Sequence, residues 1–516
     1  MSFNSAFVAF ALLVAGVVGA AGLLARRSAP AELPHPAGWA LAGRELGTGR
    51  VAVLLGGTVY TAYTVVAVPG LTYSTGGFGL YALTYTLLLT PVALVVLPRF
   101  RDLASRHGLV TTADLALARH GSHALALAVA VTGVVAAMPY LALQAVGLEA
   151  ALRAMGVSPT GATGVLSIVV VFAVFSAVLL PGGLRHGVVF ACFKAALLMG
   201  TLAVALFLVA RHTAGPRQVF AESARRLAAD HLSLVTPPSS YSAYATLALG
   251  SVLAQLMYPH LLTVALAARS ADTVRRATLA LPLWTGSLGL FAYLGFVALA
   301  LGVKTPAGHA ELAVPALLTR LVPHWPAGLL LGALAVAALV PAAVISIGMA
   351  TLVARNIYSE FFNPTATPKH EVRAARFAAA VLTAGALAFA LSLPPQDAIN
   401  LHLLGGVWIV QTAPAVGLAP FTRWFHHRAL LVGWAVGMAV GTGMTVRGGF
   451  ASVTYVGIGP VGLPVYVAVT ALVVNLLVAV ALTVLFDRIG VPRRSEALTE
   501  PGARRRKGSP FAVRVD

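Results

Sequence analysis

Residues 56–70 read Gly-Gly-Thr-Val-Tyr-Thr-Ala-Tyr-Thr-Val-Val-Ala-Val-Pro-Gly, an apolar stretch interrupted by hydroxyl side chains and closed by Pro69 and Gly70. A second stretch breaks in a matching way, with Gln255 before Tyr258, Pro259 and His260. Hydrocarbon offers no hydrogen-bond partners, so irregular backbone persists at membrane depth only where protein or an aqueous cavity satisfies it. Two matched interruptions therefore predict a carrier whose binding site lies at the bilayer midplane.

Composition sets the class around these stretches. With 59% hydrophobic and 10% charged residues and a mean hydropathy of +0.87, a water-soluble core is excluded and an all-α, polytopic membrane protein is expected. Apolar runs near the ~20 residues needed to cross ~30 Å of hydrocarbon recur about thirteen times. They fall near 6–25, 50–69, 77–98, 122–152, 159–180, 187–210, 243–266, 277–303, 327–354, 377–394, 397–419, 429–446 and 463–486.

The net charge of +19 reflects topology rather than a nucleic-acid partner. With the N-terminus outside, the predicted inner loops collect Arg26, Arg27, Arg44, Arg50, Arg99, Arg101, Arg269, Arg275, Arg276 and Arg355, and the C-terminal tail adds more. The positive-inside rule then places the C-terminus in the cytoplasm of a cell-membrane protein. Met1 to Ala6 carry no basic side chain and Arg26 and Arg27 follow the first apolar run, the reverse of a cleaved signal, so the first span is expected to be retained. The single cysteine, Cys192, lies within a predicted span and offers neither a disulfide framework nor a thiolate metal site.

Six segments follow: an N-terminal helix and cytoplasmic linker (1–49), a first repeat (50–210), an outer loop (211–242), a second repeat (243–425), two additional helices (426–488) and a basic, disordered tail (489–516). Setting aside the first and last two spans leaves ten. Divided five and five, each half begins with a broken helix, the pattern of an inverted repeat.

Several strings in fixed order carry a family resemblance. They are GGTVYTAYTVVAVPG from Gly56, GLVTTADLALARHGS from Gly108, GGLRHG from Gly182, YPHLLTVALAARSADTVRRA from Tyr258, VPAAVISIGMATLVARNIYSEFF from Val340 and LLGGVWIVQTAPAVGLAPFTRWFHHRALLVGWAVG from Leu403. The chain resembles the sodium:solute symporter family over about 45–490, and within it the monocarboxylate permease branch. The resemblance implies a leucine-transporter-like fold, with broken first and sixth core helices, and uptake of short carboxylates such as acetate, lactate or pyruvate with a co-transported proton or sodium.

The same resemblance exposes a departure. Aligned on Asn356, Ile357 and Tyr358, the family's sodium-binding carbonyls fall near Gly57, Tyr60 and Ala337. Val340 and Pro341 then stand where the family has hydroxyl side chains, so that sodium site reads as dismantled. On the helix after the GGL turn, Ala191 and Lys194 replace an Asp and a Gln. An intramembrane lysine requires pairing, water or loss of its proton. Two readings of Lys194 stand side by side: an internal ammonium in the cation's place, or a side chain snorkelling to the inner surface near Arg185. In the first, burial disfavours the charged form of an amine and makes proton release available as a coupling step.

Substrate contacts are expected from Thr58, Tyr60, Thr61 and Tyr63 on the first broken helix, Tyr140 and Gln144 on the third, Gln255, Tyr258 and His260 on the sixth, and Trp408 and Gln411 on the tenth. Broken-helix N-termini present free N–H groups to a carboxylate. Against this, His260 could simply cap its helix, and Tyr81 and Tyr85 read as packing or belt residues. Enzyme, metal and cofactor readings find no pattern: the loop histidines lack ligand spacing, and GGLRHG follows no strand. Other classes remain open, namely a sodium-coupled carrier of proline or another small solute, and a transporter-like membrane sensor.

Overall fold

The computed structural model describes residues 4–28, 35–392, 395–458 and 461–493. Helix α1 (Ser5–Ser28) leads through the short α2 (Pro36–Ala40) to the first broken span, formed by α3 (Thr48–Val59) and α4 (Val68–Thr75). Then come α5 (Tyr81–His107), α6 (Thr112–His120), α7 (His123–Ala154), α8 (Ala162–Leu179) and α9 (Leu184–His212). The surface helix α10 (Pro216–Ala229) precedes the second broken span, α11 (Tyr241–Met257) and α12 (Pro259–Ala267). After it follow α13 (Ala271–Thr278), α14 (Leu281–Ala300), α15 (Ala313–Leu321), α16 (His324–Leu352), α17 (Pro368–Ser392) and α18 (Pro395–Ile409). Helices α19 (His427–Arg447) and α20 (Val467–Arg488) close the chain and enclose an unanticipated antiparallel hairpin, β1 (Val453–Ile458) with β2 (Val461–Tyr466).

Among the described residues, ten helical stretches are long and apolar enough to cross a membrane, or eleven when the bent pair around Tyr258 counts as one. Helices α4 and α5 run together in that count, as Tyr63–His107. Helices α3 and α18, at 12 and 15 residues, fall below the length required. The segment expected as an outer loop (211–242) contains α10, and the short α15 lies between α14 and α16. Most of the expected tail, from residue 494 onward, lies outside the described residues.

The two breaks have different local causes. Tyr258 precedes Pro259, whose ring disfavours helical backbone in the residue before it; Tyr258 accordingly adopts φ −60°, ψ 133° and the span bends by 53°. The first interruption does not fall at its proline. Helix α3 ends at Tyr60 (φ −97°, ψ 98°), a π-turn covers Tyr63–Ala67, and Pro69 sits in the first turn of α4. A first-turn N–H has no intrahelical partner to lose, so proline is tolerated there.

Helix α16 is the axis of the molecule. Of its apolar window 94% is buried, against 28% for α8 and for α20. It packs against α1, α7, α9 and α17. The GGLRHG turn joins α8 to α9 with Gly183 at φ 59°, and a Cβ there would lie 2.2 Å from the Trp39 carbonyl oxygen. Only glycine fits that turn.

Candidate functional site

At the first break, α3 ends inside the protein and leaves carbonyl groups without helical partners. Lys194, on α9, is fully buried, and its Nζ donates to the Gly57 carbonyl at 2.8 Å and to the Tyr60 carbonyl. A cation at a helix C-terminus also complements the negative end of the helix dipole. None of the described carboxylates pairs with Lys194. The side chain therefore points into the core and does not snorkel.

The walls of this pocket are tight and apolar. A Cβ on Gly57 would meet the Ala191 Cβ at 3.2 Å and the Val340 Cγ1 at 4.0 Å, so α3, α9 and α16 converge where Lys194 reaches the backbone. Val340, Pro341 and Ala337 are all buried in α16. The nearby Ser346 hydroxyl is engaged elsewhere, donating to Ala342 and sharing a 2.8 Å hydrogen bond with Thr383 of α17.

Gln144 of α7 splints the other side of the break. Its Oε1 accepts from Ala62 N at 3.1 Å and its Nε2 donates to the Tyr140 carbonyl at 2.9 Å. Thr58 donates to Leu54 and Leu55 in its own helix, and Thr61 Oγ1 accepts from Tyr63 N. Tyr60 turns to α14, where its hydroxyl meets Thr285 at 2.6 Å and its ring stacks on Trp284. These groups are polar but occupied.

The second break is different. Tyr140 lies with its ring centroid 5.3 Å from both Tyr258 and His260 and 4.4 Å from His402 of α18. Tyr63 completes the group, 4.8 Å from His402, with its hydroxyl 3.0 Å from that of Tyr81. Within this region both ring nitrogens of His260, both amide atoms of Gln255 and the Nδ1 of His402 are buried without a hydrogen-bond partner, whereas the first broken span has one such group, the Thr64 hydroxyl of its π-turn. Each such group is unfavourable by about 1–3 kcal/mol when left unpaired. Their concentration beside one helix break marks a place built to receive a polar ligand.

Two expected contributors lie elsewhere. Trp408 Nε1 donates to Thr442 of α19 at 3.1 Å. Gln411 donates to the Val407 carbonyl and accepts from Asn475 of α20 at 3.1 Å. Both hold α18 against the two final helices, outside the aromatic group. Sequence reasoning missed His402, whose only signal is a lone imidazole in the apolar run Leu401–Leu404. It also set aside Tyr81, which the Tyr63 hydrogen bond ties to the site.

One end of the molecule is latched. Leu46 forms a backbone bridge with Ala268, joining the segment before α3 to the end of α12. Arg101 donates to the carbonyls of Ala268 and Arg269. Arg44 donates to the Ala104 and Leu109 carbonyls, and its guanidinium is lowered to about 10 by burial and then by the nearby Arg101 charge. Beside them Asp114 accepts from Arg355 at 2.6 Å and from Asn356 at 2.8 Å, while Thr111 donates to Asn356 at 2.7 Å. The string from Gly108 that carries the resemblance includes Thr111 and Asp114. The string from Val340 includes Arg355 and Asn356.

Known proteins place this arrangement in context. The sequence model of the sodium:solute symporter family matches residues 39–441. A protein of Rhizobium johnstonii named monocarboxylate transport permease protein is 38% identical, over 88% of this chain and 92% of its own length. The uncharacterized symporter YodF of Bacillus subtilis is 28% identical over 78% of this chain and 80% of its own. Among solved structures, a sodium-coupled sialic acid symporter in a substrate-bound, outward-open state superimposes with a TM-score of 0.73. At 15% identity, covering 95% of this chain and 98% of that one, it establishes a shared fold.

Proposed function

This chain belongs to the sodium:solute symporter family, and on that premise we propose that it carries short monocarboxylates by alternating access, with Lys194 replacing sodium as the cation of the first break. The observation that carries the reading is the contrast of partners. At the first break two backbone carbonyls hold an ammonium supplied by the protein; at the second, both ring nitrogens of His260, both amide atoms of Gln255 and the Nδ1 of His402 have no hydrogen-bond partner. A carboxylate is an acceptor that imidazole N–H and amide N–H groups satisfy together, and the relative's name supports that substrate class.

In this mechanism the substrate's carboxylate takes donors from His260, Gln255 and His402, and its short body packs among Tyr63, Tyr140 and Tyr258. Thr58, Thr61 and Gln144 shape the first break rather than bind. The ten central spans form the five-plus-five inverted repeat within a thirteen-span topology, N-terminus outside, on the segment boundaries predicted from sequence. The latch of Leu46 on Ala268 lies at the cytoplasmic end and releases during transport. Lys194 couples transport to protons because an ammonium and a neutral amine bind the Gly57 and Tyr60 carbonyls with different strength, which biases one conformation.

The test is uptake of labelled acetate and pyruvate into proteoliposomes, imposing proton and sodium gradients separately and correcting for passive entry with protein-free vesicles. Uptake driven by the proton gradient alone, with a pH dependence that flattens in Lys194→Gln, is the expected result. Sodium-driven uptake overturns the coupling assignment. No uptake of either acid overturns the substrate assignment.

A further inference from the structure

We propose that the groove between α1 and α8 binds one anionic phospholipid, with an acyl chain along the groove and the headgroup phosphate on Arg26. The groove encloses about 600 Å³, and Arg26 is the one charged side chain in a lining that is apolar but for Ser167. At a rise of about 1.5 Å per residue, its α8 wall from Ser167 to Val178 is about 16 Å long. That is close to one leaflet of a hydrocarbon core ~30 Å thick.

The groove is shaped at both levels. A Cβ at Gly19 would meet nothing within 4 Å, which leaves the floor open. A Cβ at Gly22 would lie 2.7 Å from the Val178 Cγ1, so the helices touch there and close the groove one turn before Arg26.

The chemistry at that closed end selects the headgroup. Arg26 is exposed, and none of the described carboxylates pairs with it. At this end the His186 Nδ1 lies 2.9 Å from the carbonyl of Val178, a residue of the groove lining. Arg376 donates to the Pro181 carbonyl at 2.6 Å, and Arg185 has Glu45 at 3.0 Å. One carboxylate among these arginines leaves the corner cationic. A phosphate with no ammonium of its own is favoured there over a zwitterionic headgroup.

Native mass spectrometry of the full chain tests this, with phosphatidylglycerol or phosphatidylcholine added to the detergent micelles. The wild type is expected to retain one phosphatidylglycerol about tenfold more tightly than phosphatidylcholine, a difference of one decade in binding constant. Arg26→Gln should lose that preference while still accepting either lipid. Gly19→Phe, at a position where an added Cβ meets nothing within 4 Å, should lose the bound lipid at an unchanged melting temperature. Equal retention of the two lipids, lipid retained by Gly19→Phe, or a dimer of the chain in place of a lipid adduct each overturns the proposal.

Discussion

The two broken helices began from the same problem and solved it oppositely. In the first, residues distant in sequence supply the missing partners: Lys194 for the Gly57 and Tyr60 carbonyls, Gln144 for the Ala62 N–H. In the second, the side chains at the break are themselves unpartnered, with His260 and Gln255 buried and unbonded. Irregular backbone inside a membrane must be satisfied internally, and at the first break the backbone groups of Gly57, Tyr60 and Ala62 find their partners within the protein. The second leaves donors and acceptors that a ligand would complete. One break is internally bonded; the other keeps unpaired polar side chains.

The sharpest way to break this comparison is Lys194→Ala. Removing the ammonium leaves two buried carbonyls unpaired, each unfavourable by about 1–3 kcal/mol, so transport should fall at least about 100-fold together with the melting temperature in detergent. A variant that melts like the wild type would show that α3 does not depend on its lysine.

His260→Ala should do the reverse. Uptake at low substrate concentration should drop about 10- to 100-fold, the effect of losing one or two decades of affinity. The melting temperature should hold or rise, because an unpaired buried polar group has been removed. A fall in melting temperature matching that of Lys194→Ala would make His260 structural and erase the distinction between the breaks.

Gln144→Leu sharpens the same line from the first break. The Ala62 N–H loses its acceptor, for an expected loss of about 1–2 kcal/mol, measured by thermal unfolding. The KM should stay near its wild-type value if Gln144 is a splint, and rise if it binds substrate.

The smallest effect concerns a region outside both breaks. His120, at the end of α6, hydrogen-bonds the Ala415 carbonyl at 3.0 Å, and burial holds its imidazole down to about 4. The unfolded chain takes up that proton near pH 6.5 while the folded one does not until about 4. Stability is therefore full above 6.5 and declines as pH falls toward 4. Melting temperatures measured across that interval should decline by a few degrees less in His120→Gln. An identical slope would detach His120 from acid sensitivity.

Parts of the site were legible because membrane chemistry makes polar residues conspicuous. Lys194, Gln144, Gln255 and His260 each stand out in apolar runs, and of the three carbonyls the family alignment named, those of Gly57 and Tyr60 accept from Lys194 while that of Ala337 does not. Trp408 and Gln411 stand out equally, yet α19 and α20 claim them. His402 shows the converse: a histidine among leucines gives no hint that three tyrosines, one from each break and one from α7, surround it.

By itself the sequence determined the membrane class, the presence of two interrupted spans, and the family, because hydropathy, proline placement and ordered motifs are local properties of a chain. Tertiary structure alone decided the rest. It set the end of α3 at Tyr60 within the interrupted stretch, turned Lys194 inward onto α3, and sorted the buried polar side chains into those with partners and those without. Hydrogen bonding between helices depends on which faces meet, and that is fixed only when α3, α7, α9, α12, α16 and α18 pack together.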